Sequence, residues 1–246
     1  LPSVQTFSFN TAGRGKVKSA NISAVKEGLS PRLIIIGAHY DSVPVGHGAD
    51  DNASGVAVML EAARLVKDIP TPYTIRFVAF GAEEVRMQGS SYYVKQMSRT
   101  EIATTFVMIN LDSLIAGDIA YVYGDAAEKG AVRDWALTAA QRMGFDLRTQ
   151  AGENPRYPPG TTGDWGDSYS FSRAGIPYAY FESTNWSLGD KDGYVQVAGD
   201  FGEGGQIWHT PYDNLTYIET SFPGRIDERL RLFTSVLCYI LTEFMI

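Results

Sequence analysis

The sequence predicts an α/β fold: a mixed, mainly parallel central sheet with helices on both faces. Three observations predict it. Continuous apolar runs rich in β-branched and aromatic residues, at 33–38, 73–80, 106–111 and 177–182, have the length and composition of strands buried on both sides. Longer segments with apolar residues at helical spacing alternate with these runs, the pattern of a sheet covered by helices. The chain has 246 residues and is 44% hydrophobic, so residues 1–246 are expected to form one large domain with a real core.

Taken in order, residues 4–10 and 16–26 alternate apolar and polar side chains, which suits an antiparallel opening at the sheet edge. Residues 33–38, headed by Leu33-Ile34-Ile35-Ile36, begin the central strands. Residues 53–68 predict the first long helix: Val56, Met59, Leu60, Ala63, Leu65 and Val66 recur at its spacing, and Pro70 and Pro72 end it. Strand 73–80 runs into Gly81-Ala82-Glu83-Glu84. A short helix at 90–97, a strand at 106–111, a short strand at 119–123 and an amphipathic helix at 128–143, stopped by Gly144, follow. Residues 152–167 and 187–206 are Gly-rich and read as loops. Between them stand a short helix at 168–174 and a fourth central strand at 177–182. Pro211 begins a turn, and residues 225–245 make the closing helix. Loops this long in a compact fold are commonly part of a site.

Composition narrows the function. Net charge is −7, the opposite of a nucleic-acid footprint. No apolar run approaches the ~20 residues that span a bilayer. The lone Cys238 excludes an internal disulfide and a thiolate metal site, and reads as a small buried hydrophobe. The chain opens Leu1-Pro2-Ser3, as a processed product would.

The chemistry sits where the apolar strands end. In an open α/β sheet, ligands bind in the crevice beyond the carboxyl ends of the strands. The first central strand ends in His39 and Asp41, followed by Asp50 and Asp51. The second ends in Glu83-Glu84, and the third in Asp112. The loop after the fourth delivers His209. Such a concentration of carboxylates needs cations to compensate it. Imidazole plus carboxylate oxygen without sulfur suits a catalytic zinc site. Of the three histidines, His47 lies between two glycines as an ordinary loop residue. His39 and His209 each stand near an acid, Asp41 and Asp213, placed to accept the second imidazole N–H and fix the tautomer. One of the paired glutamates can bind metal while the other stays free as a general base.

Five strings, G-A-H-Y-D-S (37–42), G-A-D-D-N-A-S-G (48–55), F-G-A-E-E (80–84), N-L-D-S (110–113) and W-H-T-P-Y-D (208–213), resemble the co-catalytic zinc peptidases of the M28 family, the bacterial aminopeptidase type. The resemblance covers nearly the whole chain in order. It implies the zinc-dependent exopeptidase (phosphorylase/hydrolase-like) fold. It implies two Zn2+ ions, with another divalent metal admissible in one site. His39 and Asp112 would hold one ion, Glu84 and His209 the other, and Asp51 would bridge them. Glu83 would be the catalytic base acting on the zinc-activated water, with Asp41 behind His39. Asp51 is preferred over Asp50 because it stands three residues before Ser54-Gly55. A cis peptide commonly follows the bridging acid in the family. Some relatives carry a Tyr before the last ligand; here Trp208 stands there, with an indole N–H able to serve the oxyanion. Where the family often has S-D-H, this chain has Gly166-Asp167-Ser168. Tyr180, Phe181, Phe201, Ile207 and Trp208 are candidates to line a substrate pocket.

The implied function is an aminopeptidase that hydrolyses the N-terminal peptide bond of peptides. The resemblance further implies an exported location (secreted, periplasmic or cell-envelope) and a monomer. Three alternatives stay open on the same fold. A glutaminyl cyclase would bind a single zinc. A carboxypeptidase or dipeptidase would need a cation for the substrate carboxylate, with Arg156, Arg173 or Lys191 as candidates. A non-catalytic ectodomain of the transferrin-receptor kind would have lost the ligands.

Overall fold

The computed structural model describes residues 2–13, 15–126 and 130–243. In chain order the strands are β1 (Ser3–Thr11), β2 (Gly15–Lys26), β3 (Ser30–His39), β4 (Tyr73–Phe80), β5 (Thr105–Leu111), β6 (Ile119–Gly124), β7 (Leu147–Arg148) and β8 (Tyr178–Thr184). The helices are α1 (Gly55–Val66), α2 (Gln88–Gln96), α3 (Arg99–Thr104), α4 (Ala131–Met143), α5 (Ser168–Ser172), α6 (Leu215–Ser221) and α7 (Arg225–Glu243).

The strands form one eight-stranded sheet in the order β1-β2-β4-β3-β5-β8-β6-β7. β4, β3, β5 and β8 pair in parallel at its centre, while β1, β2 and β6 join antiparallel. Because the four central strands run the same way, their carboxyl ends meet at one edge. His39 pairs with Phe80 in the β3–β4 register, Gly37 with Asn110 in β3–β5, and Leu111 with Phe181 in β5–β8.

The run Leu33-Ile34-Ile35-Ile36 is buried on both faces, and alternation assigns its side chains to separate cores. Ile34 and Ile36 join Val58, Met59, Ala62, Phe233, Val236 and Leu237 under α1 and α7. Leu33 and Ile35 join Phe80, Tyr93 and Phe171 under α2 and α5. Helices therefore cover both faces, as the apolar runs require.

Several expectations need adjustment. The helix expected at 53–68 begins at Gly55; Ala49–Ser54 forms an irregular turn in which Asp51 and Asn52 leave helical geometry and are joined by a cis peptide bond. Its buried stripe is Gly55, Val58, Met59, Ala62 and Val66, whereas Leu60 and Leu65 face solvent. Gly55 is required there: a Cβ would collide with the Leu111 carbonyl and the Asn52 side chain. The start of the helix expected at 128–143 and the end of that expected at 225–245 lie partly outside the described residues. α3, β7 and α6 were not expected. Cys238 is half-buried in α7.

Candidate active site

Each strand end contributes one part of the site. β3 ends in His39, which is buried. Its Nε2 lies 3.0 Å from Asp51 Oδ1 and 3.3 Å from Asp112 Oδ1. The second Asp51 oxygen, Oδ2, lies 3.1 Å from His209 Nε2, and the same nitrogen is 2.8 Å from Glu84 Oε2. Asp51 thus spans two imidazoles, each flanked by one further carboxylate. One ligating atom each from His39, Asp51 and Glu84 fall within 4.8 Å of one another. Glu83, Glu84, His39, Asp51, Asp112 and His209 all line one cleft of about 370 Å³.

The electrostatics show an excess of negative charge. Burial opposes a charge on His39, yet Asp112 and Asp51 hold its proton well above the usual imidazole range. Hydrogen bonds to Asp51 and Glu84 push His209 up to about 10. Burial also works against Asp51, but His209 and His39 overcome it and hold this carboxyl below its usual range. Glu83 is pushed up to about 9, first by burial and then, against the pull of His39, by Asp167, Asp112 and Glu84. Burial likewise raises Glu84 and Asp112. Glu84 Oε1 is buried without a hydrogen-bond partner, a costly arrangement unless a cation meets it. Two imidazole nitrogens, a bridging carboxylate and this orphaned oxygen fit zinc by donor type.

The supporting acids differ from expectation. Asp41 was expected to reach the second nitrogen of His39 with its carboxylate. Its backbone carbonyl does so instead, 3.0 Å from Nδ1, while the nearest carboxylate oxygen is 3.8 Å away. The carboxylate accepts the backbone N–H groups of Glu83 and Glu84 at 3.0 and 3.3 Å, fixing the end of β4 against β3. Asp213 was expected beside His209. Its carboxylate instead accepts the N–H groups of Asp50 and Asp51 at 2.6 and 3.2 Å, so it orients Asp51. Asp50 points the other way, accepting from Ile115, Ala116 and Gln196. His47 meets Asp213 only through its backbone.

The pocket candidates also divide. Tyr180 and Trp208 line the cleft. Phe181 packs on Phe233, Phe201 on Phe222, and Ile207 is fully buried in the core. The Trp208 indole N–H donates to the Tyr194 carbonyl at 3.3 Å. Arg156, Arg173 and Lys191 are not among the lining residues; Lys191 pairs with Glu153 at 2.6 Å. The cleft's lining also includes Arg86, Trp165, Glu182, Asp192 and Tyr194, which the strand-end reasoning passed over. Glu182 was open to the same rule, since it lies near the carboxyl end of a central strand.

Known proteins resemble this chain in sequence and fold. The model for peptidase family M28 matches residues 21–234. The alkaline phosphatase isozyme conversion protein of Escherichia coli is 40% identical over 87% of this chain and 68% of its own length. Aminopeptidase YwaD of Bacillus subtilis is 36% identical over 81% of this chain, which spans only 40% of that protein. Among solved structures, BSAP, a zinc aminopeptidase from Bacillus subtilis, superposes with a TM-score of 0.70 at 31% identity, covering 92% of this chain and 51% of that one. A glutaminyl cyclase from an Acidobacteriales bacterium shares the fold with a TM-score of 0.72 at 18% identity, over 96% of this chain and 79% of that one. The chain belongs to peptidase family M28.

Proposed function

We propose that this chain is a zinc-dependent aminopeptidase, hydrolysing the N-terminal peptide bond of peptides, with Glu83 as general base. The observation that carries the reading is Asp51, whose two oxygens face two separate imidazoles at 3.0 and 3.1 Å. His39 and Asp112 would hold one zinc, Glu84 and His209 the other, with Asp51 between them. When bound, the ions would supply Lewis acidity to the scissile carbonyl and lower the pKa of a water nucleophile. Glu83 lines the same cleft but forms no ion pair with either imidazole among the described residues. It is thus free to take the proton of the attacking water and to return it to the leaving amine. The relatives named as aminopeptidases support the substrate class, and the zinc in the name of the solved relative supports the metal.

The carboxypeptidase alternative draws no support from Arg156, Arg173 and Lys191, which do not line the cleft; the cation that does is Arg86. The cyclase alternative draws on Trp208, packed 4.8 Å from the ring of His209, and on the shared fold. Metal stoichiometry separates them: the peptidase reading expects two zinc ions per chain. An exported location fits a Mycobacterium tuberculosis relative named as a lipoprotein aminopeptidase, 36% identical over 45% of this chain. No described helix is long and apolar enough to cross a membrane.

The test is a panel of aminoacyl p-nitroanilides, each assayed free and Nα-acetylated. Free-amine substrates are expected to be cleaved, acetylated ones spared, and a zinc chelator to abolish turnover until zinc is restored. Cleavage that ignores the chelator, or that tolerates acetylation, overturns the proposal.

A further inference from the structure

The proposed chemistry leaves two carboxylates in the cleft without a task, Glu182 and Asp192. Glu182, near the end of β8, lines the cleft beside Tyr180 but forms no ion pair or hydrogen bond with His39, His209 or the acids around them. Its Oε2 accepts the Tyr123 hydroxyl at 2.9 Å. That hydroxyl accepts in turn from the Trp186 indole N–H at 2.6 Å. Tyr123 is completely buried, so the indole occupies its acceptor side and directs its proton toward Glu182. A carboxylate is therefore held in one orientation by a support that favours its ionised form. Oε1 has no hydrogen-bond donor and no cation within ion-pair distance among the described residues.

The surroundings define what would satisfy it. Trp165, Tyr180, Tyr194 and Trp208 supply aromatic walls to the same cleft, with Tyr194 and Trp208 edge to face at 4.9 Å. Asp192 adds a second acid to the lining, its Oδ1 fixed by the Tyr194 N–H at 3.0 Å. Aromatic faces and a pair of carboxylates are the partners of a guanidinium or an ammonium on an alkyl stem. An apolar side chain would leave Glu182 desolvated and uncompensated, a penalty that a cationic one removes. Burial, and after it the charges of Asp112, Asp50 and Asp51, push Glu182 up to about 8 against the Tyr123 hydrogen bond, so a bound cation would favour its ionised form.

We propose that Glu182, assisted by Asp192, makes this cleft selective for peptides whose first residue is arginine or lysine. This rests on the aminopeptidase reading and specifies its substrate class. The competing role for Glu182 is to bind the substrate's α-amine, which every substrate carries, and the test is built to separate the two.

The test compares kcat/KM for arginyl, citrullinyl and leucyl p-nitroanilides with the zinc-loaded protein and its Glu182→Gln variant. Citrulline keeps the shape of arginine without its charge. Wild type is expected to prefer arginyl over citrullinyl by about 10²-fold, and Glu182→Gln to bring that ratio close to one. Asp192→Asn should lower the ratio by less than about tenfold, and less still at high salt. Equal losses on all three substrates would assign Glu182 to the α-amine and overturn the proposal. So would a wild type that cleaves leucyl best with arginyl and citrullinyl alike. No cleavage of any substrate would instead refute the aminopeptidase reading beneath it. Glutamine retains an acceptor for Tyr123. Should the variant nevertheless fail to fold, calorimetric binding of L-argininamide against L-citrullinamide to wild type reads the same preference, and equal affinities overturn it.

Discussion

Neighbouring residues of this site make different contacts. Glu83 and Glu84 share a strand end, yet only Glu84 reaches an imidazole. On the proposed reading, replacing Glu83 with Gln removes the proton acceptor and leaves the donor set intact. Turnover should fall by about 10²–10⁴-fold while the zinc content per chain is unchanged, as read by steady-state kinetics and elemental analysis. Unaltered turnover would remove Glu83 from the proton transfer. Asp50 and Asp51 are a second such pair, with Asp213 deciding their orientation. Asp213→Asn turns one acceptor into a donor facing a backbone N–H. It should weaken metal affinity about 10–100-fold in chelator competition without touching either histidine. The types of these residues were legible in the sequence; which group meets which was not. Asp41 and Asp213 were expected to hold imidazoles because they lie near them along the chain. In the fold each instead accepts backbone N–H groups from another segment, across the gap between β3 and β4 or between residues 213 and 50.

At the scale of the element, the central strands were readable because burial on both faces demands unbroken apolar runs. Residues 73–80 were matched to the residue by β4, and residues 106–111 to within one by β5. The strand that carries His39 is buried on both faces. Ile36 is fully buried, so Ile36→Ala should cost about 2–5 kcal/mol in urea unfolding. Leu60, 61% exposed on α1, should cost less than about 0.5 kcal/mol when replaced by Ala. Met59→Ala, on the buried stripe of the same helix, should cost about 2–5 kcal/mol, and its contrast with Leu60 tests the stripe assigned to α1, because sequence periodicity alone ranked the two together. The short elements were missed for definable reasons. α3 carries a capping box, Ser98 with Glu101, that was visible in the string S-R-T-E. α6 has only the Asn214 cap as a local signal. β7 has just two residues, Leu147 and Arg148, and exists because β6 lies beside it.

For the whole molecule, strand order is what turns five distant strings into one site, and that order is not written in any string. The order β4-β3-β5-β8 gathers His39, Glu83-Glu84, Asp112 and Glu182 at one edge, and the Asp50–Asp51 turn and the 208–213 loop close over it. Gathering so many acids has a consequence for stability. With the metal removed, His209 is held up at about 10 and Glu83 at about 9, both above their unfolded-state values. The folded state then binds more protons than the unfolded chain between about pH 4 and 9, so its stability must fall as pH rises through that window. Asp51 has the opposite sign, but its contribution is lost only below the ordinary carboxylate range, outside the window. Metal binding displaces the retained protons, and its affinity grows with pH. The melting temperature of chelator-treated protein should therefore decline from pH 6 to 9, while that of zinc-loaded protein declines less. Scanning calorimetry should show the gap between them widening steadily. Parallel curves would mean that the acids at this edge balance their charge without a metal.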